Sequence, residues 1–571
     1  MNAPAPLQRA RTLVERIVAA TDRPGALTVL SAGGTERRAW GALHEDALAL
    51  AGLLAARGAG PGERVALLGP TSLPMVTAIQ ATWLTGAACV VLPLPLRLGS
   101  LEAFVDQTRR RVGHARPVLL LVDPTFAPFL DGLSGAADAE SHSGVVGAAR
   151  ALPRVDDLER LWREATTRTS RVSSSQGPGP GDPGILQYTS GSTSEPRGVV
   201  LSHGAVVANV EAITDRIAYD PGSEVTVSWL PLYHDMGLIG MLTVTMATGG
   251  ELVLAPAQDF LQRPASWMEW MDAYGGTATA GPSFGFALAT RALRASGGLD
   301  LSRWRVAING AEPIDPAVVE CFAEAAGRAG FAAGGAVCAF GMAEATLAVT
   351  MHPPGRGLLV DEVDRRALEE GFDALPARAG LPSRRLAKLG APVGDLEVRI
   401  LAPDGTAVSE RRVGEIEIRG SSLLSGYFDD PSATADALRE GWLRTGDLGY
   451  LVDSELVVCG RAKDVIVVGG RNVFPEDVEG AASAVAGVRA GNVVAFGIPG
   501  RAGRERVVVV AESRAEDLER LRGAVGDAVR AETGLSPADV VLLAPGTLPK
   551  TSSGKLQRSR TRQRYLDGEL A

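Results

Sequence analysis

A stretch rich in hydroxyl groups and glycine, LQYTSGSTSEPRG at Leu186–Gly198, contains the residue types best suited to chemistry in this sequence. Hydroxyls, backbone N–H groups and a cation are the groups that hold a polyphosphate. The spacing differs from the G-x-x-x-x-G-K-[ST] pattern of the best-known phosphate loop. Taken alone, the stretch fits a phosphate cradle and an ordinary surface loop equally well. Its candidate binding residues are Thr189, Ser190, Gly191, Ser192, Thr193, Arg197 and Gly198.

Five further motifs follow this stretch along the chain. They are GAEPI at Gly310–Ile314, FGMAE at Phe340–Glu344, WLRTGDLGYL at Trp442–Leu451, GRAKDVIVVGGRNVFPEDVE at Gly460–Glu479 and LPKTSSGKLQR at Leu548–Arg558. In this order the six motifs resemble those of the acyl-adenylate-forming superfamily, which includes acyl-CoA synthetases, luciferases and the adenylation domains of peptide synthetases. One such motif alone is a weak signal, but chance does not place six in order over most of a chain.

The resemblance implies that the chain activates a carboxylate with ATP and Mg²⁺. In that reaction, positioned donors and cations must hold the negative charge of the phosphate oxygens. The hydroxyl-rich stretch would hold the β- and γ-phosphates, with Arg197 where relatives usually have lysine. Glu344 would hold Mg²⁺, which prefers oxygen ligands and few protein contacts.

The other motifs imply the rest of the nucleotide site. Asp447 would accept hydrogen bonds from both ribose hydroxyls, a task that suits an ionised carboxylate. Arg461 would reach the ribose or a phosphate. The resemblance assigns one wall of the adenine pocket to Gly310, Ala311, Glu312 and Pro313, and the segment that stacks on the base to Phe340, Gly341, Met342 and Ala343.

Two lysines near the C-terminal end receive separate roles from the resemblance. Lys555 would be the catalytic lysine that bridges the carboxylate and the α-phosphate, and Lys463 would be the hinge about which a small domain rotates. By residue type alone, Glu344 and Lys555 also fit ordinary solvated charges, Asp447 a turn cap and Lys463 a linker residue. Their positions within the motifs favour the site roles.

Two segments indicate one branch of the superfamily. SWLPLYHDMGLIG at Ser228–Gly240 resembles the fatty acyl-AMP ligases. VDRRAL at Val363–Leu368 resembles the core of an insertion that, in this branch, hampers the domain movement needed to use CoA. On its own the second segment also fits an ordinary surface excursion. The branch implies a fatty acid substrate and, as partner, an acyl carrier protein whose phosphopantetheine thiol accepts the acyl group.

The same branch implies an acyl pocket beside the nucleotide. His234 would line this pocket or gate its entrance, and we include it among the candidate catalytic residues. A metal-binding role for His234 is disfavoured, because the six histidines show no ligand spacing. The expected pocket residues are Trp229, His234, Met236, Ile239, Thr279, Gly281 and Phe284.

The elements that would position these residues follow from the hydrophobic pattern. Apolar runs such as Arg64–Gly69 alternate with helical patterns such as Leu73–Leu84, which predicts parallel sheets with helices. From about Leu396, apolar and polar residues alternate, which predicts antiparallel strands. We therefore predict an α/β fold with a large N-terminal domain at 1–460, which includes an antiparallel subdomain at about 390–460, and a small mobile α+β domain at 461–571.

Composition limits the remaining function classes. A chain of 571 residues with 46% hydrophobic and 22% charged residues is typical of a globular protein with several domains. The net charge of −9 argues against a general nucleic-acid binder. The four cysteines lie far apart, and the N-terminus is charged where a signal peptide needs an apolar core. We therefore expect a cytoplasmic protein without disulfides or a membrane span.

Two other functions stay open from the sequence. An acyl- or aryl-CoA synthetase would differ in the thiol that accepts the acyl group. A catalytically silent subunit of a synthase complex is the second alternative, although Glu344, Asp447, Arg461 and Lys555 argue against it. The acyl chain length, the carrier protein and the oligomeric state do not follow from the sequence.

Overall fold

The computed structural model describes residues 10–31, 33–95, 101–129, 153–167, 177–189, 197–295, 297–500, 505–551 and 554–570. The predicted phosphate-binding residues Ser190, Gly191, Ser192 and Thr193 lie outside the described residues. Thr189 and Arg197, at the two ends of that stretch, lie within them.

Capping side chains explain where several helices begin. Ser72 accepts the backbone N–H of Met75, and Ser202 accepts that of Ala205, each one residue ahead of a helix. A π-helix, Met236–Thr243, precedes the seventh helix. The α-helices are α1 (Leu13–Ala20), α2 (Trp40–Ala55), α3 (Leu73–Leu84), α4 (Leu101–Ala115), α5 (Leu158–Thr166), α6 (His203–Arg216), α7 (Val244–Thr248), α8 (Ala257–Gln262), α9 (Ala265–Ala273), α10 (Ser283–Ala295), α11 (Pro316–Gly327), α12 (Arg365–Gly371), α13 (Pro431–Ala437), α14 (Pro475–Ser483), α15 (Leu518–Thr533) and α16 (Arg558–Leu566).

Strands form at the apolar run of the sequence analysis, where Arg64–Gly69 becomes a strand at Arg64–Leu68, and also at polar segments such as Gly34–Ala39. They are β1 (Ala26–Ser31), β2 (Gly34–Ala39), β3 (Arg64–Leu68), β4 (Ala88–Val91), β5 (Leu119–Val122), β6 (Arg154–Asp157), β7 (Pro183–Tyr188), β8 (Gly198–Ser202), β9 (Val225–Ser228), β10 (Glu251–Leu254), β11 (Ala278–Gly281), β12 (Val306–Asn309), β13 (Ala336–Gly341), β14 (Ala348–Met351), β15 (Val360–Asp364), β16 (Ser383–Ala387), β17 (Ala391–Pro392), β18 (Glu397–Leu401), β19 (Gly414–Arg419), β20 (Gly426–Tyr427), β21 (Leu438–Arg439), β22 (Trp442–Val452), β23 (Glu455–Arg461), β24 (Ile466–Val468), β25 (Arg471–Val473), β26 (Val488–Pro499), β27 (Glu505–Ser513) and β28 (Asp539–Leu543).

Two mixed, mainly parallel sheets form the large N-terminal part. The first has the order β17-β14-β13-β12-β11-β9-β10-β1-β2, and its strands from β13 to β1 run parallel. The second has the order β20-β8-β7-β4-β3-β5-β6, with antiparallel pairing at β7-β8 and β8-β20. The β7-β8 hairpin encloses the hydroxyl-rich stretch, as the flanking apolar runs predict. Buried side chains of α2 and α3 pack in the core of the second sheet.

Smaller sheets complete the fold. Strands β18, β19, β22, β21 and β23 form an antiparallel sheet, in agreement with the alternating pattern there. Strands β15 and β16 form a hairpin that carries α12 between them. In the C-terminal part, β26, β27 and β28 form one sheet whose apolar face packs against α14 and α15.

The predicted fold class is confirmed, because a large α/β part with mainly parallel sheets is joined to a small antiparallel sheet and a smaller α+β part. The boundary between residues 460 and 461 and the mobility of the C-terminal part stay predictions. Searching the described ranges finds no helix long and apolar enough to cross a membrane. The cytoplasmic location stays a prediction.

Candidate active site

A cavity of about 3550 Å³ lies where the carboxyl ends of the parallel strands meet the C-terminal part. Its lining combines segments that follow β9, β12 and β13 with residues 460–464, 488–494 and several residues between Gly546 and Arg564. In open α/β sheets, ligands bind in the crevice outside the carboxyl ends of the strands. The fold therefore positions this cavity where a binding site is expected.

The cavity brings together most of the predicted site residues. The lining includes Thr189, Arg197, Trp229, His234, Met236, Phe284, Gly310, Ala311, Glu312, Pro313, Phe340, Gly341, Met342, Ala343, Glu344, Asp447, Arg461, Lys463 and Lys555. Four other predicted residues that the structure describes, Gly198, Ile239, Thr279 and Gly281, are not among the lining residues.

Three of these four, Ile239, Thr279 and Gly281, were predicted to form the acyl pocket, but they lie behind the wall of the cavity. Ile239 is completely buried in the π-helix. Thr279 accepts a hydrogen bond from Trp267 Nε1 at 3.3 Å, and a Cβ added at Gly281 would lie 2.9 Å from the Trp267 ring. Thr279 and Gly281 therefore contact Trp267 and do not form the wall themselves.

Asp447 and Arg461 form a polar pair in the wall of the cavity. The antiparallel register of β22 and β23 places the two residues opposite each other, and Arg461 Nε lies 3.2 Å from Asp447 Oδ1. Burial raises the pKa of Asp447 to about 6, while Arg461 acts to lower it. A desolvated carboxylate with one cation beside it can accept further hydrogen bonds from neutral donors such as hydroxyls.

Glu344, Tyr427 and Arg197 form a second polar group. The Tyr427 hydroxyl donates a hydrogen bond to Glu344 Oε1 at 3.0 Å, and the Arg197 guanidinium carbon lies 5.7 Å from the centre of the Tyr427 ring. Burial raises the pKa of Glu344, and hydrogen bonds from its own backbone and from Tyr427 oppose that rise. The described residues contain no cluster of three or more possible metal ligands. Mg²⁺ is nevertheless usually bound by one or two protein carboxylates together with phosphate oxygens of the substrate. The single carboxylate of Glu344 therefore fits this ion.

His234, Asp235 and Lys555 form a third polar group in the cavity. His234 Nδ1 lies 2.6 Å from Asp235 Oδ1, and the backbone N–H of Met236 donates to the same carboxylate oxygen at 2.7 Å. Burial lowers the pKa of the Lys555 amine, whereas the carboxylates of Asp235 and Glu312 raise it. Lys555 comes from the C-terminal part, so the site is built by both parts of the chain.

Backbone geometry shapes the segments that follow β12 and β13. Ala311 in the Gly310–Pro313 segment has φ +69°, an uncommon conformation for a residue with a side chain. At Gly341 an added Cβ would lie 2.0 Å from the carbonyl oxygen of Leu347. Only glycine allows this close approach, which turns the backbone directly after Phe340.

An aromatic cluster forms the apolar end of the cavity. The Trp229 ring stacks on Phe260 with centroids 3.8 Å apart and meets the edge of Phe284 at 6.1 Å. Trp229 and Phe284 line the cavity, and Phe260 supports Trp229 from α8. This wall can accommodate a hydrocarbon chain.

Sequence reasoning missed Asp235 and Tyr427. The adjacency of Asp235 to His234 is a signal that could have found it, because neighbouring acid and imidazole groups often act together. Tyr427 lies in the two-residue strand β20, and its approach to Glu344 results from pairing with β8. No spacing in the sequence indicates that contact.

The β15-β16 hairpin binds the C-terminal part through three ion pairs. The pairs are Arg365 with Glu532, Glu369 with Arg471, and Arg384 with Asp477. In the last pair, Arg384 Nε lies 2.7 Å from Asp477 Oδ1, and both side chains are at most 10% exposed. The VDRRAL segment spans the end of β15 and the start of α12, so it belongs to this contact.

Comparisons with known proteins identify the family of this chain. Residues 17–428 match the model of the AMP-binding enzyme family. Rv1013 of Mycobacterium tuberculosis is 38% identical over 92% of this chain and 94% of its own length. The long-chain-fatty-acid–AMP ligase FadD26 of Mycobacterium marinum is 31% identical over 93% of this chain and 92% of its own. A solved structure of the fatty acyl-adenylate ligases from E. coli and L. pneumophila superposes with a TM-score of 0.89 and 32% identity, over 98% of each chain.

The resemblance drawn from the six motifs is therefore confirmed over nearly the whole chain. The family model covers the hydroxyl-rich stretch and the segments after β12 and β13, and the matched structure also covers the C-terminal part with Lys555. This chain belongs to the AMP-binding family of adenylate-forming ligases, and a solved structure of fatty acyl-adenylate ligases matches it over nearly its whole length.

Proposed function

We propose that this ligase activates a fatty acid as its acyl-adenylate and then transfers the acyl group to the phosphopantetheine thiol of an acyl carrier protein. The meeting of Lys555 with Glu344, Asp447 and Arg461 in one cavity is the observation that carries the proposal. The names of FadD26 and of the matched structure support a fatty acid as the activated carboxylate. An intact set of charged groups also disfavours a catalytically silent subunit.

The nucleotide would occupy the side of the cavity formed by strands β12, β13, β22 and β23. Phe340 would stack on the adenine beside Gly310–Pro313, and Asp447 would accept hydrogen bonds from the ribose hydroxyls. Arg461 would contact the ribose or the α-phosphate. These roles fit the chemistry of each group, because an aromatic face can stack on a base and a carboxylate can accept hydrogen bonds from hydroxyls.

The phosphates would extend towards Thr189 and Arg197. Arg197 would hold the β- and γ-phosphates through its guanidinium group, which can form two hydrogen bonds to a phosphate. Glu344, held by the Tyr427 hydroxyl, would be the protein ligand of Mg²⁺. When bound there, this ion would neutralise phosphate charge and orient the leaving pyrophosphate.

In the first step, a carboxylate oxygen of the acid attacks the α-phosphorus, and the bond from that phosphorus to the bridging oxygen breaks. Pyrophosphate leaves with the bonding electrons. Lys555 would donate hydrogen bonds to the carboxylate and α-phosphate oxygens as charge shifts between them. Asp235 and Glu312 favour the charged form of this amine against its burial.

In the second step, the thiol loses its proton, its sulfur attacks the acyl carbon, and AMP leaves. We propose Lys463, in the turn between β23 and β24, as the hinge that lets the C-terminal part from residue 461 onward move between the two steps. The three ion pairs of the β15-β16 hairpin support a carrier protein over CoA, since they would hamper the domain movement that the use of CoA needs.

The acyl chain would pass His234 and lie against Trp229, Met236 and Phe284. These three apolar side chains would supply the wall of the pocket, and His234 would stand between that wall and the nucleotide. The function is tested by supplying ATP, Mg²⁺ and a panel of fatty acids, with CoA and a holo carrier protein offered in parallel. We expect acid-dependent pyrophosphate exchange and faster thioester formation on the carrier. Rapid thioester formation with CoA alone would contradict the carrier assignment, and the absence of exchange with every acid would contradict adenylation.

A further inference from the structure

The acyl end of the cavity is lined by one face of each of two helices. The lining residues of α10 are Ser283, Phe284, Ala287, Leu288 and Arg291. The lining residues of α8 are Ala257, Gln258, Leu261 and Gln262. Spacings of three and four residues place each set on one helix face. On α10 the lining residues are apolar from Phe284 to Leu288 and end in the cation Arg291. On α8 the apolar Leu261 lies between the amides of Gln258 and Gln262.

The orientation of α10 gives this part of the cavity a direction. The backbone N–H of Phe284 donates to Glu312 at 3.3 Å, and the Ser283 hydroxyl approaches the carbonyl oxygen of Pro313 at 3.3 Å. The helix therefore begins beside the proposed nucleotide site. Arg291 follows Phe284 by seven residues, or about 10 Å along the helix axis. An acyl chain activated at the nucleotide would run past Leu288 towards Arg291.

The far end of this path is open and cationic. Leu261, Gln262 and Arg291 are exposed, and Gln258 is half-buried. In the ranges that the structure covers, Arg291 takes part in no hydrogen bond or ion pair. A cavity wall that runs from Phe284 past Leu288 to a guanidinium group without a partner among the described residues is complementary to a hydrocarbon chain that ends in hydrogen-bond acceptors.

We propose that the acyl substrate carries an anionic group, such as a second carboxylate, at the end remote from the activated carboxyl, and that this group pairs with Arg291. The hydrocarbon segment lies along Leu288 and Trp229, and the far end stays hydrated at the mouth. This inference rests on the proposed function, because it takes the cavity as the site of acyl activation.

The expected effect follows from the exposure of Arg291. Ion pairs between exposed groups are worth up to about 1 kcal/mol, which corresponds to about fivefold in a rate or binding ratio. Replacing the cation with an anion adds repulsion to the loss of attraction. Salt should weaken the effect, because charges at a surface are screened.

The test compares dodecanoic acid with dodecanedioic acid in the pyrophosphate-exchange assay of the full-length protein. The variants are Arg291→Ala, Arg291→Glu and, as the matched control, Arg294→Ala, an exposed arginine of the same helix that does not line the cavity. The measured quantity is the kcat/KM for the diacid divided by that for the monoacid, at low and at high salt.

We expect Arg291→Ala to lower this ratio about fivefold, Arg291→Glu to lower it further, and Arg294→Ala to leave it unchanged. High salt should reduce the differences. If the monoacid is activated and the ratio is the same in all four proteins, the inference is wrong while the proposed function stands. If neither acid, nor any of the fatty acid panel, supports exchange, the proposed function itself fails.

Discussion

Arg461 and Asp447 face each other across the paired strands β22 and β23, with Nε 3.2 Å from Oδ1. The Arg461 side chain is 57% exposed, whereas that of Asp447 is 10% exposed. Water therefore screens the cation more than it solvates the carboxylate, and burial raises the pKa of Asp447 to about 6 in spite of the pair. The buried Asp447 carboxylate has little access to bulk water, so it can accept hydrogen bonds from the hydroxyls of a ligand.

Asp447→Asn should weaken ATP binding and stabilise the free protein at pH 8. The raised folded-state pKa means that the ionised carboxylate costs folding free energy at any pH above about 6. Asparagine removes this cost, so the free energy of unfolding should rise by about 1–3 kcal/mol at pH 8. Urea denaturation of the two proteins at pH 8 and pH 4 measures the difference.

The gain should fall below about 1 kcal/mol at pH 4, close to the unfolded-state pKa, because wild-type Asp447 is then protonated in the folded state and about half protonated in the unfolded state. A variant that is less stable than the wild type at pH 8, or a gain of equal size at both pH values, would contradict the burial argument for Asp447.

The sequence predicted the identities of Asp447 and Arg461 but not their contact. Fourteen positions separate the two residues, and only the hydrogen-bond register of β22 and β23 makes them neighbours. Tyr427 was missed for the same reason, since its partner Glu344 is distant along the chain. The parallel strands and α3 were predictable, because their hydrophobic pattern depends on local sequence.

Thr279 and Gly281 show the other limit of sequence reasoning. Both belong to β11, beside the acyl region, but they face the ring of Trp267. The bulky side chains packed around a buried strand decide which of its faces meets a cavity. A strand buried on both faces is a nearly continuous apolar run, and its sequence shows no alternation that would identify the cavity face.

Tyr427→Phe should raise the apparent KM for Mg²⁺–ATP by roughly tenfold, with a smaller effect on kcat. The substitution removes the hydroxyl that donates to Glu344 at 3.0 Å, and hydrogen bonds to charged groups contribute about 1.5–3 kcal/mol. Because that bond opposes the raised pKa of Glu344, the defect should be smaller at higher pH. Initial rates at several Mg²⁺ concentrations and pH values measure both effects.

Tyr450→Phe is the matched control, because the Tyr450 hydroxyl donates to Asp361 at 2.6 Å away from the cavity. It should leave the KM for Mg²⁺–ATP unchanged. Equal changes in the two variants would assign the effect to general stability and not to Glu344.

Weakening the contact between the β15-β16 hairpin and the C-terminal part should increase the use of CoA. The double variant Arg365→Ala, Glu369→Gln removes two of the three ion pairs. Thioester formation with CoA should rise by roughly tenfold relative to formation on a carrier protein, equal to about 1.4 kcal/mol of lost restraint. Pyrophosphate exchange should stay close to that of the wild type.

Arg366→Ala serves as its control, because Arg366 lies on the same helix and, within the ranges that the structure describes, pairs only with Glu370, at 3.0 Å. It should change neither the CoA rate nor the carrier rate. An unaltered preference in the double variant would show that these pairs do not restrain the movement that CoA requires.

Pyrophosphate exchange in wild-type and Lys555→Ala proteins, supplied with ATP, Mg²⁺ and a fatty acid that the wild type activates, tests the proposed activation most directly. Removing one donor to the developing charge typically costs about 10²–10³ in rate. We expect a loss of that size with ATP affinity, measured by calorimetry, nearly unchanged. Exchange by Lys555→Ala at a rate near that of the wild type would contradict the central claim that this cavity forms an acyl-adenylate with Lys555 as its catalytic group.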